Sequence, residues 1–236
     1  MGLTTDSISN GAEDSIDPAV RRVVTSLTHG PGRRIVGLVG PPAAGKSTMA
    51  GQLAALFNGA IACVPMDGFH LAQYELERLG RTQRKGAPDT FDALGYRDLL
   101  MRIRRGFDYQ ETVYAPDFDR ALEEPIAARI AIDPTTPLIM TEGNYLLLED
   151  EPWPQIAAQL DEIWFLDIDT SIREAWLMAR HKYFGRSEAE ARAWIAATDR
   201  PNAERIETGQ HRADRRLIWD GDRFRWADAD SRAVIG

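Results

Sequence analysis

With 36 acidic against 28 basic side chains in 236 residues, the chain carries a formal charge of −8 at pH 7. That balance argues against a general nucleic-acid or membrane-surface binder, yet leaves room for a local basic site that takes an anionic ligand. Hydrophobic content of 44% and charged content of 27% are ordinary for a soluble globular protein, and no apolar run approaches the ~18 residues of a membrane span. A lone cysteine, Cys63, excludes an intrachain disulfide and fits a reducing cytoplasm; its apolar surroundings predict a buried, inert thiol.

Residues 1–15 are acidic and polar, hold no signal-peptide apolar stretch, and are predicted to be a disordered tail. Residues 16–236 suffice for a single domain. Asp17-Pro18 reads as N-cap and first helical residue, with the helix running to about His29 and stopped by Gly30-Pro31-Gly32. Arg34 to Val39 is a short, β-branched apolar run and reads as a buried strand.

Next comes Gly40-Pro41-Pro42-Ala43-Ala44-Gly45-Lys46-Ser47, which fits the phosphate-cradling pattern G-x-x-x-x-G-K-[ST]. From Thr48 to Phe57 the chain is rich in helix formers, so the motif has the strand–loop–helix setting it requires. Glycines let consecutive N–H groups converge on one anion, and the helix N-terminus adds unpaired donors. Lys46 is then placed for the β/γ-phosphates of ATP, and the Ser47 hydroxyl for Mg²⁺. Only three of the 28 basic residues are lysine, which makes a chance match rarer still.

A second strand, Ala60–Pro65, leads into Met66-Asp67-Gly68-Phe69-His70. Asp67 falls just past a buried parallel strand, where such sheets bind ligands, although an aspartate before glycine is also an ordinary turn former. Leu71 to Ala87 is charged and irregular and can equally be a solvated face. Asp89 or Thr90 is expected to cap a helix from about Phe91 to Arg105, closed by Gly106. Tyr114 to Arg120 reads as an extended, proline-broken stretch. Pro137 to Gly143 is a third strand ending in Glu142; an apolar strand followed by a carboxylate is the Walker B pattern associated with Mg²⁺.

Glu162 to Asp167 is a fourth strand, and Asp169 or Thr170 caps the helix after it. That helix carries Arg180 and breaks at Gly185-Arg186; Ser187-Glu188-Ala189-Glu190 is a capping box that opens another. A basic helix–break–helix at this place can be a lid that closes on phosphates, or plain surface charge. A short helix starting at Arg200-Pro201-Asn202 and a terminal hairpin across Leu217–Trp226 complete the chain, while His70, His181 and His211 show no metal-ligand spacing. Four strands alternating with helices predict an α/β fold: a mostly parallel sheet covered on both faces, with Gly40–Ser47, Asp67 and Glu142 on one edge.

With those residues in place, the chain resembles the P-loop kinases of the phosphoribulokinase/uridine kinase family, which also contains bacterial pantothenate kinases. The similarity spans about Arg33 to Asp214 and is carried by GPPAAGKST, VPMDGFH, RKGAPDTFD, APDFDR, TEGNYLLL and RPNAE. Together these look most like a bacterial subgroup labelled fructose-transport-system or nucleoside/nucleotide kinases. The resemblance implies an ATP- and Mg²⁺-dependent kinase that phosphorylates the hydroxyl of a small molecule such as a sugar, nucleoside or pantothenate-like compound. Position by position, it implies that Lys46 and Ser47 meet phosphate and Mg²⁺ within the nucleotide loop Gly40–Thr48, and that Asp67 faces the acceptor hydroxyl. Glu142 would serve the metal, Arg180 and Arg186 would be lid cations, and Asn202 would lie near adenine. Arg84, Lys85, Asp117 and Arg120 fall where acceptor contacts are expected. Asp67-Gly68-Phe69-His70 stands where uridine kinases carry Asp-Ser-Phe-Tyr, which argues against a uridine acceptor.

The rival reading is an ATPase or nucleotide switch acting on a protein partner. A GTPase would want Asn-Lys-x-Asp, and the chain has no Asn-Lys pair; its D-x-x-G, Asp92 to Gly95, falls within a predicted helix. A homodimer is compatible with the sequence.

Overall fold

The structure is a computed structural model that describes residues 15–227. Asp17 caps the first helix as predicted, its Oδ1 accepting from the Ala19 amide at 2.7 Å, and α1 (Pro18–His29) follows. The chain then enters β1 (Arg34–Val39) and passes through the glycine-bounded loop into α2 (Lys46–Leu56). After β2 (Ile61–Pro65) come one 3₁₀ turn, Met66–Phe69, and the short α3 (Gln73–Arg78), then tight turns leading to α4 (Ala93–Asp108). β3 (Val113–Asp119) and β4 (Glu124–Ile132) pair antiparallel as a separate two-stranded sheet. The chain returns in β5 (Leu138–Gly143), passes α5 (Trp153–Ala157) and forms β6 (Glu162–Asp167). Helices α6 (Thr170–Tyr183), α7 (Glu188–Trp194) and α8 (Arg200–Glu207) precede the closing strands β7 (Arg215–Trp219) and β8 (Phe224–Trp226).

The main sheet has six strands in the order β2-β5-β1-β6-β7-β8. All neighbours pair in parallel except β7 and β8, so the first strand of the terminal hairpin extends the parallel sheet to a fifth strand. Alternation along the strands feeds two cores. Ile35, Val39, Ile139, Ile163 and Phe165 face α4 and α5, while Val36, Leu38, Met140, Trp164 and Leu166 face α1 and α2. Burial on both faces is why these strands read as continuous apolar runs. The parallel register brings the ends of β1, β2 and β5 to one edge: Leu38 and Pro65 both lie opposite Glu142.

Several local expectations shift. Asp92, rather than Asp89 or Thr90, caps α4: its Oδ1 accepts from the Gly95 amide at 2.9 Å, so the D-x-x-G spacing is a helix cap. The helix continues through Gly106 to Asp108, because the missing side chain makes room for Val113; a Cβ there would lie 2.6 Å from Val113 Cγ2. The stretch around Asp117 is a full strand, with its irregularity between Ala115 and Asp117, where Pro116 offers no N–H to the ladder. Its partner β4 is not foreseen at all. Cys63 is half-buried, its Sγ donating to the Ala50 carbonyl, and burial pushes its pKa up to about 11, so no thiolate forms near neutral pH.

At the other end of the sheet, Ile16 is wholly buried and pairs in parallel with Phe224. Phe224 donates to the Ser15 carbonyl and accepts from the Asp17 amide, both at 2.9 Å. The tail expected over 1–15 otherwise lies outside the described residues. Among the described residues, no helix is long and apolar enough to cross a membrane.

Candidate active site

The loop between β1 and α2 takes its shape from two left-handed residues, Ala43 at φ 62° and Gly45 at φ 83°. Lys46 opens α2 and folds back beneath the loop. Its Nζ donates to the carbonyls of Gly40 and Pro41 at 2.8 and 3.0 Å and to Asn144 Oδ1 at 2.7 Å. Burial draws its pKa down to about 8 against the opposing pull of Glu142 and Asp67, while Arg180 and Arg173 lower it further. Ser47 and Thr48, on the first turn of α2, are exposed to solvent.

Glu142 sits at the end of β5, only 8% exposed, and its Oε1 accepts from the Ser47 hydroxyl at 2.8 Å. Burial raises its pKa, and the neighbouring Asp67 adds to the rise against the counter-pull of Lys46 and Ser47. Asp67 reaches the same edge from the turn after β2. That turn runs directly under β3, where a Cβ on Gly68 would meet the Pro116 carbonyl at 2.6 Å, so only glycine fits. Asp67 Oδ2 lies 3.4 Å from Arg120 Nη2, beyond the tip of β3.

Arg180, in the last turn of α6, forms no side-chain hydrogen bond or ion pair with any described residue. The residue as a whole is exposed, yet partial desolvation of its guanidinium and then the Arg120 guanidinium depress its pKa, while Asp67 and Asp199 oppose this. It therefore shares a field with Asp67 and Arg120. Arg186 is held elsewhere. Its Nη1 donates to His181 Nδ1 at 2.7 Å, and its guanidinium lies over the Trp194 ring, 4.1 Å from the centroid. The other imidazole nitrogen, Nε2, then donates to Asp199 Oδ2 at 2.8 Å.

No protein-family model matches the chain. A Schizosaccharomyces pombe protein provisionally named as a uridine kinase is 34% identical over 195 residues, which are 79% of this chain and 81% of its own. The ATP-dependent kinase-like protein notR′ of Aspergillus versicolor is 38% identical over 148 residues, 60% of this chain and 86% of its own. A crystal structure from Silicibacter sp. TM1040, provisionally described as a fructose transport system kinase, superposes with a TM-score of 0.72 at 35% identity, over 92% of this chain and all of the other. The chain belongs to the phosphoribulokinase/uridine kinase family of P-loop kinases. The loop between β1 and α2 at this sheet edge is its P-loop.

Of the residues expected in the kinase site, Gly40–Ser47, Asp67, Glu142, Arg120 and Arg180 converge. Arg84 is paired with Asp89, and Asp117 lies 3.8 Å from Arg129. Lys85 donates to the Glu123 carbonyl at 2.6 Å and stands over the Phe118 ring. The Tyr145 hydroxyl donates its one proton to the Gly86 carbonyl and lies 3.1 Å from the Asn202 side-chain amide, so α8 is tied to the 86–91 turn.

Three further residues join the site, none assigned a role from the sequence: Asn144, Arg173 and His70. Asn144, two positions past Glu142, holds Lys46. Arg173 is 2% exposed; its Nη2 lies 3.6 Å from Glu207, and its Nε and Nη1 have no partner among the described residues. Its signal was an arginine at a core position of a helix, four residues before Leu177. His70 lies between two aromatic rings; its signal was proximity to Asp67.

Proposed function

We propose that the protein transfers the γ-phosphoryl group of ATP to a hydroxyl of a small-molecule acceptor. The observation that carries this reading is the meeting of Lys46, Ser47, Glu142 and Asp67 at one sheet edge, with Ser47 and Glu142 2.8 Å apart. Transfer to an alcohol needs a group that orients the hydroxyl and takes its proton, and Asp67 stands beside the loop where such a group would act.

In this mechanism the loop amides and Lys46 bind the β- and γ-phosphates, Lys46 giving up its contacts with Gly40 and Pro41 to do so. Ser47 and Glu142 supply a hydroxyl and a carboxylate, a donor set that suits Mg²⁺. No cluster of three potential ligands exists among the described residues, so phosphate and water oxygens would complete the shell, as is usual for this ion. Bound there, Mg²⁺ would neutralise phosphate charge. Asp67 orients the acceptor hydroxyl and takes its proton as the oxygen attacks the γ-phosphorus, while the bond to the β–γ bridging oxygen breaks and ADP leaves. Arg180, uncommitted in the cleft, supplies positive charge to the transferring group. Asn202 lies beside the Tyr145 hydroxyl, so it steadies the 86–91 turn in this reading, and no adenine contact is assigned to it.

The test is ADP release with and without a panel of sugars, sugar phosphates, nucleosides, hydroxy acids and pantothenate. Acceptor-dependent turnover far above background hydrolysis is expected. Hydrolysis unchanged by every acceptor but stimulated by a protein fraction would favour the ATPase reading.

A further inference from the structure

The ammonium of Lys46 has three hydrogens, and all three are taken: by the Gly40 carbonyl at 2.8 Å, the Pro41 carbonyl at 3.0 Å and Asn144 Oδ1 at 2.7 Å. Two of these acceptors belong to the loop itself. Asn144 brings a side chain from beyond β5, and its bond is the shortest of the three. An ammonium can only donate, so the contact fixes which end of the amide faces Lys46. Oδ1 accepts, and Nδ2 is left with two hydrogens that meet no acceptor among the described residues.

The backbone on either side of Asn144 is pinned, so the fold sets where this amide stands. Gly143 passes against the turn that carries Asp67, so closely that a Cβ there would lie 2.7 Å from Met66 Cβ. Tyr145 is wholly buried, edge-on to Trp153 with ring centroids 5.2 Å apart, and its hydroxyl donates to the Gly86 carbonyl. Between these two closed neighbours Asn144 is half-buried. Its amide thus stands at the junction of Lys46 and the Asp67 turn.

The triphosphate must end at the same junction. In the mechanism above, Lys46 releases Gly40 and Pro41 and turns two hydrogens to the β- and γ-phosphates, while the third stays on Asn144. Acceptors on neighbouring hydrogens of one ammonium lie about 4.5 Å apart. That gap separates Asn144 Oδ1 from a γ-phosphate oxygen, and an amide is wide enough to bring its own N–H groups within hydrogen-bond reach of that oxygen. The β-phosphate is enclosed by loop amides, whereas the γ-phosphate must lie toward Asp67, the side from which Gly143 and Asn144 approach. We propose that Asn144 is a further catalytic residue, its Oδ1 keeping one hydrogen of Lys46 while its Nδ2 donates to a γ-phosphate oxygen. This rests on the kinase reading and adds a residue to it. An amide accepts from a cation and donates to an anion at once, where an aspartate would meet the phosphate with a negative charge. Because the donor is already in place, little reorganisation is needed as charge shifts on the transferring group.

Mg·ADP and Mg·AMPPNP separate the two halves of this role, since only the second carries a γ-phosphate. Each is titrated calorimetrically into the wild type, Asn144→Ala and Asn144→Asp. Asn144→Ala should weaken Mg·AMPPNP by about tenfold or more, the loss typical of a hydrogen bond to a charged group, while Mg·ADP changes by less than about threefold. Asn144→Asp keeps the size and an oxygen for Lys46 but loses the N–H donors. It should lose Mg·AMPPNP at least as strongly and still bind Mg·ADP, which also shows that the variant is folded. Wild-type Mg·AMPPNP affinity in either variant would overturn the proposal. So would equal losses for the two nucleotides, because Asn144 would then act only by holding Lys46. If the wild-type protein binds neither nucleotide, the kinase reading itself falls, and this role for Asn144 falls with it.

Discussion

Lys46 holds its ammonium against three oxygen acceptors in a site that is 8% exposed, and its pKa is drawn down to about 8 by that burial. Phosphate binds the charged form. Below pH 8 the free protein already carries the proton, so nucleotide affinity should be flat there. Above pH 8 the proton must be taken up on binding, and affinity should fall by up to about tenfold per unit. Calorimetry in buffers of different ionisation enthalpy at pH 8.5 should register proton uptake in the wild type and none in Lys46→Ala. Lys46→Ala should also lose turnover while keeping its fold. Asp67 and Glu142 divide in a second experiment. Asp67→Asn keeps size and hydrogen bonding but loses the base, so kcat should drop by roughly 10²–10⁴ with Mg·ATP affinity nearly intact. Glu142→Gln should instead raise the Mg²⁺ concentration needed for half-maximal rate. A wild-type kcat in Asp67→Asn, or a shifted Mg²⁺ dependence in that variant alone, would reverse the two roles. Residues at fixed spacing, such as Gly45-Lys46-Ser47, are readable in the sequence because one local turn makes their chemistry. Asn144 and Arg173 are not, because their partners lie 98 positions away in one case and 34 in the other and meet only through the fold.

Elements were legible where a local rule decides them. β1 and β6 are buried on both faces and read as apolar runs of the observed length, and Ser187 and Glu190 form the capping box their spacing implied. β4 stayed hidden because it holds Pro125, an exposed Ala127-Ala128-Arg129 and a left-handed Ala128, and pairs only with β3. Its position depends on a partner, not on its own pattern. The lid elements can be tested through the contrast between their two arginines. Arg180 makes no side-chain hydrogen bond or ion pair with a described residue, so Arg180→Ala should leave the melting temperature within a few degrees and lower kcat by tenfold or more. Arg186 is stacked on Trp194 and bonded to His181. Arg186→Ala and Trp194→Ala should therefore lower the melting temperature together, by similar amounts and less than additively, since each removes the same contact. Additive losses would show that the stack does not form in solution. An Arg180→Ala protein with normal kcat would remove that residue from the mechanism.

Across the whole molecule, the start of the described chain and the nucleotide loop share one aromatic ring. Ile16 pairs with Phe224, and the Phe224 ring packs so closely on the loop that a Cβ at Gly45 would lie 2.9 Å from its Cζ. Both side chains are at most 2% exposed and belong to the core facing α1 and α2. The edge strand β8 thus serves as a wedge behind the loop that holds Lys46. Phe224→Ala should cost about 3–5 kcal/mol as a large-to-small core change. In a chain of this size that is a fall of roughly 10 °C in melting temperature. Phe224→Leu separates packing from support of the loop. It keeps most of the buried volume, so stability should change by about 1 kcal/mol, yet the flat face behind Gly45 is lost. KM for ATP should then rise several-fold while acceptor KM stays put. Deleting residues 1–14 leaves Ile16 and the Ser15 carbonyl in place, and should change neither quantity. If Phe224→Leu melts as the wild type does and its ATP KM is also unchanged, the ring only fills space. If the deletion alone raises ATP KM, the segment before Ser15 supports the loop in a way that Ile16 and Phe224 do not explain.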